Sequence, residues 1–195
     1  MRNISSSIAE ILGTQGIIQE DDVDKCRYGL EVFISSSLEA LSILLISVFV
    51  GNFFETLLFF SAFIPLRIYA GGYHADTRLR CYLVSLAVYG VFTIVIKVLP
   101  TDLYMMVNMI EVLFTLGVVI ISSPVIHHRK GVNDIEIQHY RKRSIQICIV
   151  QAVIILALII FLRENRFVTA FALGQIAEAL SMLAAIAKDR ITDNK

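Results

Sequence analysis

Residues 67–81 read RIYAGGYHADTRLRC, a polar interval between two apolar runs that are each long enough to enter a bilayer. The interval carries Arg67, Arg78 and Arg80, the Gly71-Gly72 pair, His74 and Cys81. Consecutive glycines weaken a helix interior and free the backbone to turn, so the run before them should end there. Ala75-Asp76-Thr77-Arg78 offers a turn and an N-cap for a new helix containing Cys81. The expected result is a bend between Gly71 and Arg78 that joins two spanning helices.

Outward from this bend, apolar runs occupy about residues 30–50, 53–70, 82–99, 103–121, 145–162 and 167–187. Each holds the roughly 17 to 25 residues that cross a hydrocarbon core of about 30 Å. Hydrophobic residues make up 56% of the 195-residue chain and prolines number only three, with a mean hydropathy of +0.72. That is too apolar for an ordinary soluble domain. The pattern predicts an all-α polytopic membrane protein, a single membrane domain over 1–195 with six transmembrane helices. Segment 1–28 precedes them, with Ile4, Ile8, Ile11, Leu12 and Ile18 near helical spacing. It reads as an amphipathic helix, lying on the membrane face or packed on the protein's own cytoplasmic side. It lacks the continuous apolar core of a cleaved signal peptide.

Basic residues are placed unevenly. Arg2, Lys25 and Arg27 precede the first run; Arg67, Arg78 and Arg80 lie in the second connection; Arg129, Lys130, Arg141, Lys142 and Arg143 lie in the fourth; Lys188, Arg190 and Lys195 follow the last run. Only Lys97, Arg163 and Arg166 fall on the other side. The positive-inside rule then puts both termini and the 67–81 stretch in the cytoplasm. The formal net charge is +0, which gives no global field to attract nucleic acid. Cys26, Cys81 and Cys148 are odd in number and widely spaced, which predicts reduced thiols rather than a disulfide framework or a zinc pair. His74 and Cys81 are too few for a metal site, because His127, His128 and His139 lie in another connection.

His74 and Cys81 could form a base and nucleophile pair, since a thiol attacks as its thiolate and a nearby imidazole can generate one. On one unbroken helix, seven residues would separate them by about 10.5 Å, too far for a proton transfer. A broken helix would bring them together, and a helix starting just before Cys81 would favour the thiolate further. Spacing alone leaves the other reading open, in which Cys81 is an inert apolar residue and His74 a headgroup-level polar one.

The pattern Arg67, Gly71-Gly72, His74-Ala75 and Cys81 resembles the accessory gene regulator B family, membrane endopeptidases that mature bacterial quorum-sensing pro-peptides. The resemblance extends to the chain length, the six apolar runs and the second basic connection ending at Tyr140-Arg141-Lys142-Arg143-Ser144. It implies that Cys81 is the nucleophile and His74 its general base, with no cofactor. The Cys81 thioester would expel the C-terminal part of a short pro-peptide, and the bound peptide would then close to a thiolactone or lactone. The resemblance further implies a homodimer in the bacterial cytoplasmic membrane, in contact with lipid. Backbone amides at Gly71-Gly72 could stabilise an oxyanion. Arg67, Arg129, Lys130 and Arg141 could touch the acidic end of the substrate, or could anchor the protein to anionic lipid. A small transporter using Glu111 and Glu178, or a non-catalytic membrane scaffold, is the rival reading.

Overall fold

This computed structural model describes residues 2–19, 22–73, 75, 77–125, 133–162 and 164–193. Among the described residues there are seven α-helices and no strand. They are α1 (Arg2–Thr14), α2 (Val23–Val50), α3 (Phe53–Ala70), α4 (Arg78–Val98), α5 (Tyr104–Ser122), α6 (Asp134–Leu162) and α7 (Arg166–Asp193), with a 3-10 turn at Thr101–Leu103 before α5. Six helices, α2 to α7, are long and apolar enough to cross a membrane. The all-α, six-span class expected from the apolar runs is the one observed.

Several helices begin before their apolar runs. α6 starts at Asp134, well ahead of the apolar stretch, because the first turn places Asp134 and Glu136 at the positive end of the helix and the following residues are good helix formers. α4 starts at Arg78, where the Thr77 side chain caps it. The chain forms two compact units, residues 1–49 and 50–195.

In the first unit α1 touches α2 through side chains. Ser5 Oγ donates to Glu31 Oε1 at 3.4 Å, and Ser5 and Ala9 are buried. Ile8 and Ile11 stay exposed, leaving α1 an apolar face suited to the bilayer interface.

In the second unit α7 packs most extensively on α3 and next on α5, while α6 packs on α5 and α3. Lipid tails are as apolar as leucine, so helices inside a bilayer associate by close packing rather than by the hydrophobic effect. α7 supplies small buried residues for this purpose: Ala170, Ala172 and Ala179 are fully buried. A side chain at Gly174 would run into the carbonyl oxygen of Phe59 in α3. Two apolar clusters fill the unit, one of Val112, Ala152, Ile155, Ile159, Val168 and Ala172, the other of Leu66, Ala70, Val119, Cys148 and Met182.

The end of the bundle where α3 begins is pinned by polar contacts. Asn52 is fully buried; its Oδ1 accepts from Tyr89 Oη at 2.9 Å and its Nδ2 donates to Thr93 Oγ1 at 3.1 Å. Arg166 pairs with Glu55 at 2.7 Å, and Lys97 Nζ donates to the Val50 carbonyl at 2.9 Å. These cations, two of the three that the charge pattern sets apart, each have an internal partner.

Candidate functional site

α3 ends at Ala70, where Gly71 turns the backbone with φ 76° and donates its N–H to the Arg67 carbonyl at 3.2 Å. Gly71 then forms an isolated parallel bridge with Val125, whose N–H donates to the Ala70 carbonyl at 2.8 Å. A Cβ on Gly71 would run into the Val125 carbonyl oxygen, and one on Gly72 into the Arg67 guanidinium. Gly72 has φ 147°. Both positions therefore combine left-handed backbone with close approach, and each needs a residue without a side chain.

Arg67 lies one turn before this break and is directed back at it. Its Nη1 donates to Ser181 Oγ at 2.6 Å and to the Gly71 carbonyl at 3.4 Å. The same nitrogen stands 3.6 Å from Glu178 Oε2, while Nη2 donates to the Tyr73 carbonyl. The Tyr73 N–H donates to both the carbonyl and the hydroxyl of Ser181, each at 3.1 Å. Lys188 Nζ lies 5.3 Å from the centre of the Tyr73 ring, within the range of a cation–π contact. The segment Gly71 to Tyr73 is thus held between Val125 on one side and α7 on the other.

Cys81 sits in the first turn of α4. Thr77 is the N-cap, in extended conformation, and its Oγ1 accepts from the Arg80 N–H at 3.3 Å. The Cys81 N–H donates to the Thr77 carbonyl at 3.0 Å, so the thiol emerges at the positively polarised end of the helix. Cys81 is half-buried, and none of Cys26, Cys81 and Cys148 forms a disulfide. α3 ends at Ala70 and α4 begins at Arg78, so the helix is interrupted over the interval where the glycine pair and the cap residue predict a bend. His74 and Asp76 lie outside the described residues, as do Arg129 and Lys130.

The remaining basic residues separate into two groups. Arg141 Nη2 donates to the Ile120 carbonyl at the end of α5, at 3.1 Å, and Ser144 hydrogen bonds to Ser123 just beyond that end. Lys142 and Arg143 turn elsewhere and line a shallow cleft with His139 and Gln146. Helical spacing puts these four on one face of α6.

Ser181 had no place in the sequence reading of the site, and Glu178 entered only through the rival transporter reading. A signal was available: Glu178, Ser181 and Lys188 interrupt an apolar run at helical spacing. Nothing local, however, ties that face to residues more than a hundred positions earlier.

The family described as Accessory gene regulator B matches residues 5–182. Protein FsrB of Enterococcus faecalis is 38% identical over 82 residues, 40% of this chain and 34% of that protein. AgrB-like protein 1 of Clostridium perfringens is 24% identical over 129 residues, 66% of this chain and 68% of that protein. An AgrB-like protein of Listeria welshimeri is 27% identical over 101 residues, 51% of this chain and 50% of that protein. The match to FsrB thus spans about a third of that protein. No solved structure matches the chain.

Proposed function

The chain belongs to the accessory gene regulator B family, and from that premise we propose that it is a membrane cysteine endopeptidase that cuts a short signalling pro-peptide and promotes its cyclisation. The observation that carries this reading is the placement of Cys81 in the capped first turn of α4, directly after a segment anchored at Gly71 to Tyr73. His74 follows Tyr73 immediately in the chain.

In the proposed reaction His74 takes the Cys81 proton and the thiolate attacks a peptide carbonyl carbon. The tetrahedral oxyanion collapses, the C–N bond breaks, and the departing amine receives the proton from the His74 imidazolium. The acyl group is left on Cys81 as a thioester. A thiol or hydroxyl of the bound peptide then gives up its proton to His74 and attacks that thioester, closing the ring and releasing the Cys81 thiolate. Water must be kept out during this exchange, or hydrolysis would compete with ring closure. Backbone amides at the start of α4 that are not given to Thr77, as those of Arg80 and Cys81 are, and the amide at Gly72 are the oxyanion donors in this scheme. The Gly71 amide is already given to Arg67.

The positive-inside pattern supports a cytoplasmic active site and cytoplasmic termini in a bacterial membrane. The basic cleft of His139, Lys142 and Arg143, with Arg129 and Lys130, would meet the acidic end of the substrate or anionic lipid. A homodimer is carried over from the family.

The test is co-expression with a short pro-peptide that is amphipathic at its start, acidic at its end and carries a central Cys or Ser, comparing wild type, Cys81→Ala and His74→Ala by the mass of the peptide product. Both variants should leave the precursor uncut. Normal cutting by both would sink the enzyme reading. Peptide export by the uncleaving Cys81→Ala variant would move the transporter reading ahead, which the buried Asn108, Glu111 and Thr115 on one face of α5 favour.

A further inference from the structure

We infer that Ser181 and Glu178 of α7 are positioning residues for the active segment, acting through Arg67 and the backbone of Tyr73. The inference rests on the Cys81–His74 reading, because what α7 holds in place is the backbone that leads into His74.

The argument begins with how the segment is bound. After α3 ends, Gly71 and Gly72 are the only residues between the helix and Tyr73, and their left-handed backbone gives the chain no helical register of its own. Position must come from outside contacts. Val125 fixes Gly71, and Ser181 fixes Tyr73 by accepting its N–H at both the carbonyl and the hydroxyl. The Ser181 hydroxyl accepts a further hydrogen bond from Arg67. That guanidinium also spans the carbonyls of Gly71 and Tyr73. One hydroxyl therefore links α3, α7 and the segment between α3 and α4.

Glu178 stands beside the same guanidinium. Its carboxylate is fully buried in the bundle one helical turn before Ser181, and Arg67 is the cation beside it at 3.6 Å. This 3.6 Å approach adds to the hydrogen bonds to Ser181 and to the Gly71 and Tyr73 carbonyls that hold Arg67 at the α3 to α7 junction. Its planar fork can serve several oxygens at once, which a lysine cannot do. The face of α7 that does this also carries Gly174, whose lack of a side chain lets α7 approach α3 closely. A reaction that depends on transfer over hydrogen-bond distance loses rate steeply when its groups are misplaced by about 1 Å.

The test uses the full-length protein in nanodiscs with the pro-peptide, comparing wild type, Ser181→Ala, Ser181→Thr and Glu178→Gln. Two quantities are read: hydrogen exchange at the Tyr73 amide and the kinetics of peptide cutting. Ser181→Ala should speed exchange at Tyr73 and lower kcat by about tenfold, the scale of one lost hydrogen bond, with KM nearly unchanged. Ser181→Thr, which keeps the hydroxyl, should restore both. Glu178→Gln should speed exchange and lower kcat in the same direction. Unchanged exchange in Ser181→Ala and Glu178→Gln would refute the anchoring. Faster exchange with unaltered kcat, or a loss confined to KM, would refute the positioning role. Failure of the enzyme reading shows itself separately, as cutting that survives Cys81→Ala.

Discussion

Arg67 Nη1 and Ser181 Oγ meet at 2.6 Å although 114 positions separate them in the chain. This contact closes the loop between the end of α3 and the C-terminal half of α7, and it makes the segment before His74 a product of tertiary structure. Each turn of the chain there has a specific steric reason, and the reasons can be tested one at a time.

The two glycines should fail in different ways. An added Cβ at Gly71 meets backbone, the Val125 carbonyl, whereas one at Gly72 meets the movable end of the Arg67 side chain and Ser181 Oγ. Both substitutions also incur about 1–3 kcal/mol of backbone strain for a left-handed conformation. Gly71→Ala should therefore lower the thermal unfolding temperature of the detergent-solubilised protein and abolish peptide cutting. Gly72→Ala should lower the unfolding temperature less than Gly71→Ala yet cut poorly, because it displaces Arg67. Equal unfolding temperatures for the two variants would contradict this division.

The cap of α4 can be separated from the chemistry of Cys81. Thr77 Oγ1 accepts the Arg80 N–H, and replacing such a cap by alanine costs about 0.5–2 kcal/mol. Thr77→Ala should fray the first turn of α4 and slow alkylation of Cys81 by iodoacetamide, measured by mass of the labelled protein. Thr77→Ser and Thr77→Asp should keep most of the wild-type rate, since either side chain can accept the same hydrogen bond. Alkylation in Thr77→Ala at the wild-type rate would mean that the helix end does not govern the thiol.

The apolar runs and the Gly71-Gly72 break were legible because each is a local property: hydropathy over a spanning length, and a backbone that only glycine tolerates. A cap within residues 75–78 was legible for the same reason, though not that Thr77 would supply it. Helix starts were not, as α6 shows by running eleven residues ahead of its apolar stretch, from Asp134 to residue 145. Polar residues with good helix propensity leave no hydropathy signal. The roles of Ser181 and Glu178 could not be read because the partner of each lies on another helix, and the basic triplet 141–143 divides between two directions only once α6 has packed on α5.

A buried amide pins the opposite end of the bundle. Asn52 accepts from Tyr89 and donates to Thr93, so Asn52→Ala leaves a buried phenol hydroxyl unpaired, at about 1–3 kcal/mol. The variant should unfold at a lower temperature, while Tyr89→Phe, which removes the donor itself, should cost less. Because Asn52 lies at the opposite end of α3 from the proposed active segment, the surviving folded fraction should cut peptide at the wild-type rate. A variant that folds normally but cuts slowly would show that this end of the bundle is coupled to the site.

Gly174 offers the sharpest test of how α7 serves α3. Its missing side chain faces the Phe59 carbonyl and the Ala62 Cβ, the latter at 3.1 Å from where a Cβ would stand. A carbonyl oxygen in the middle of α3 cannot withdraw without breaking the helix, so Gly174→Ala must push α7 away. Gly90 in α4, by contrast, has no neighbour within 4 Å of the added carbon, and alanine there should be neutral or slightly stabilising, by up to about 1 kcal/mol from helix propensity. The two substitutions are chemically identical, so a difference between them isolates close packing. Gly174→Ala should lower the unfolding temperature and should also slow cutting, because Glu178 and Ser181 ride on the displaced helix one and two turns further along. Gly90→Ala should do neither. If both variants behaved alike, the approach of α7 to α3 would not be what sets the position of Arg67.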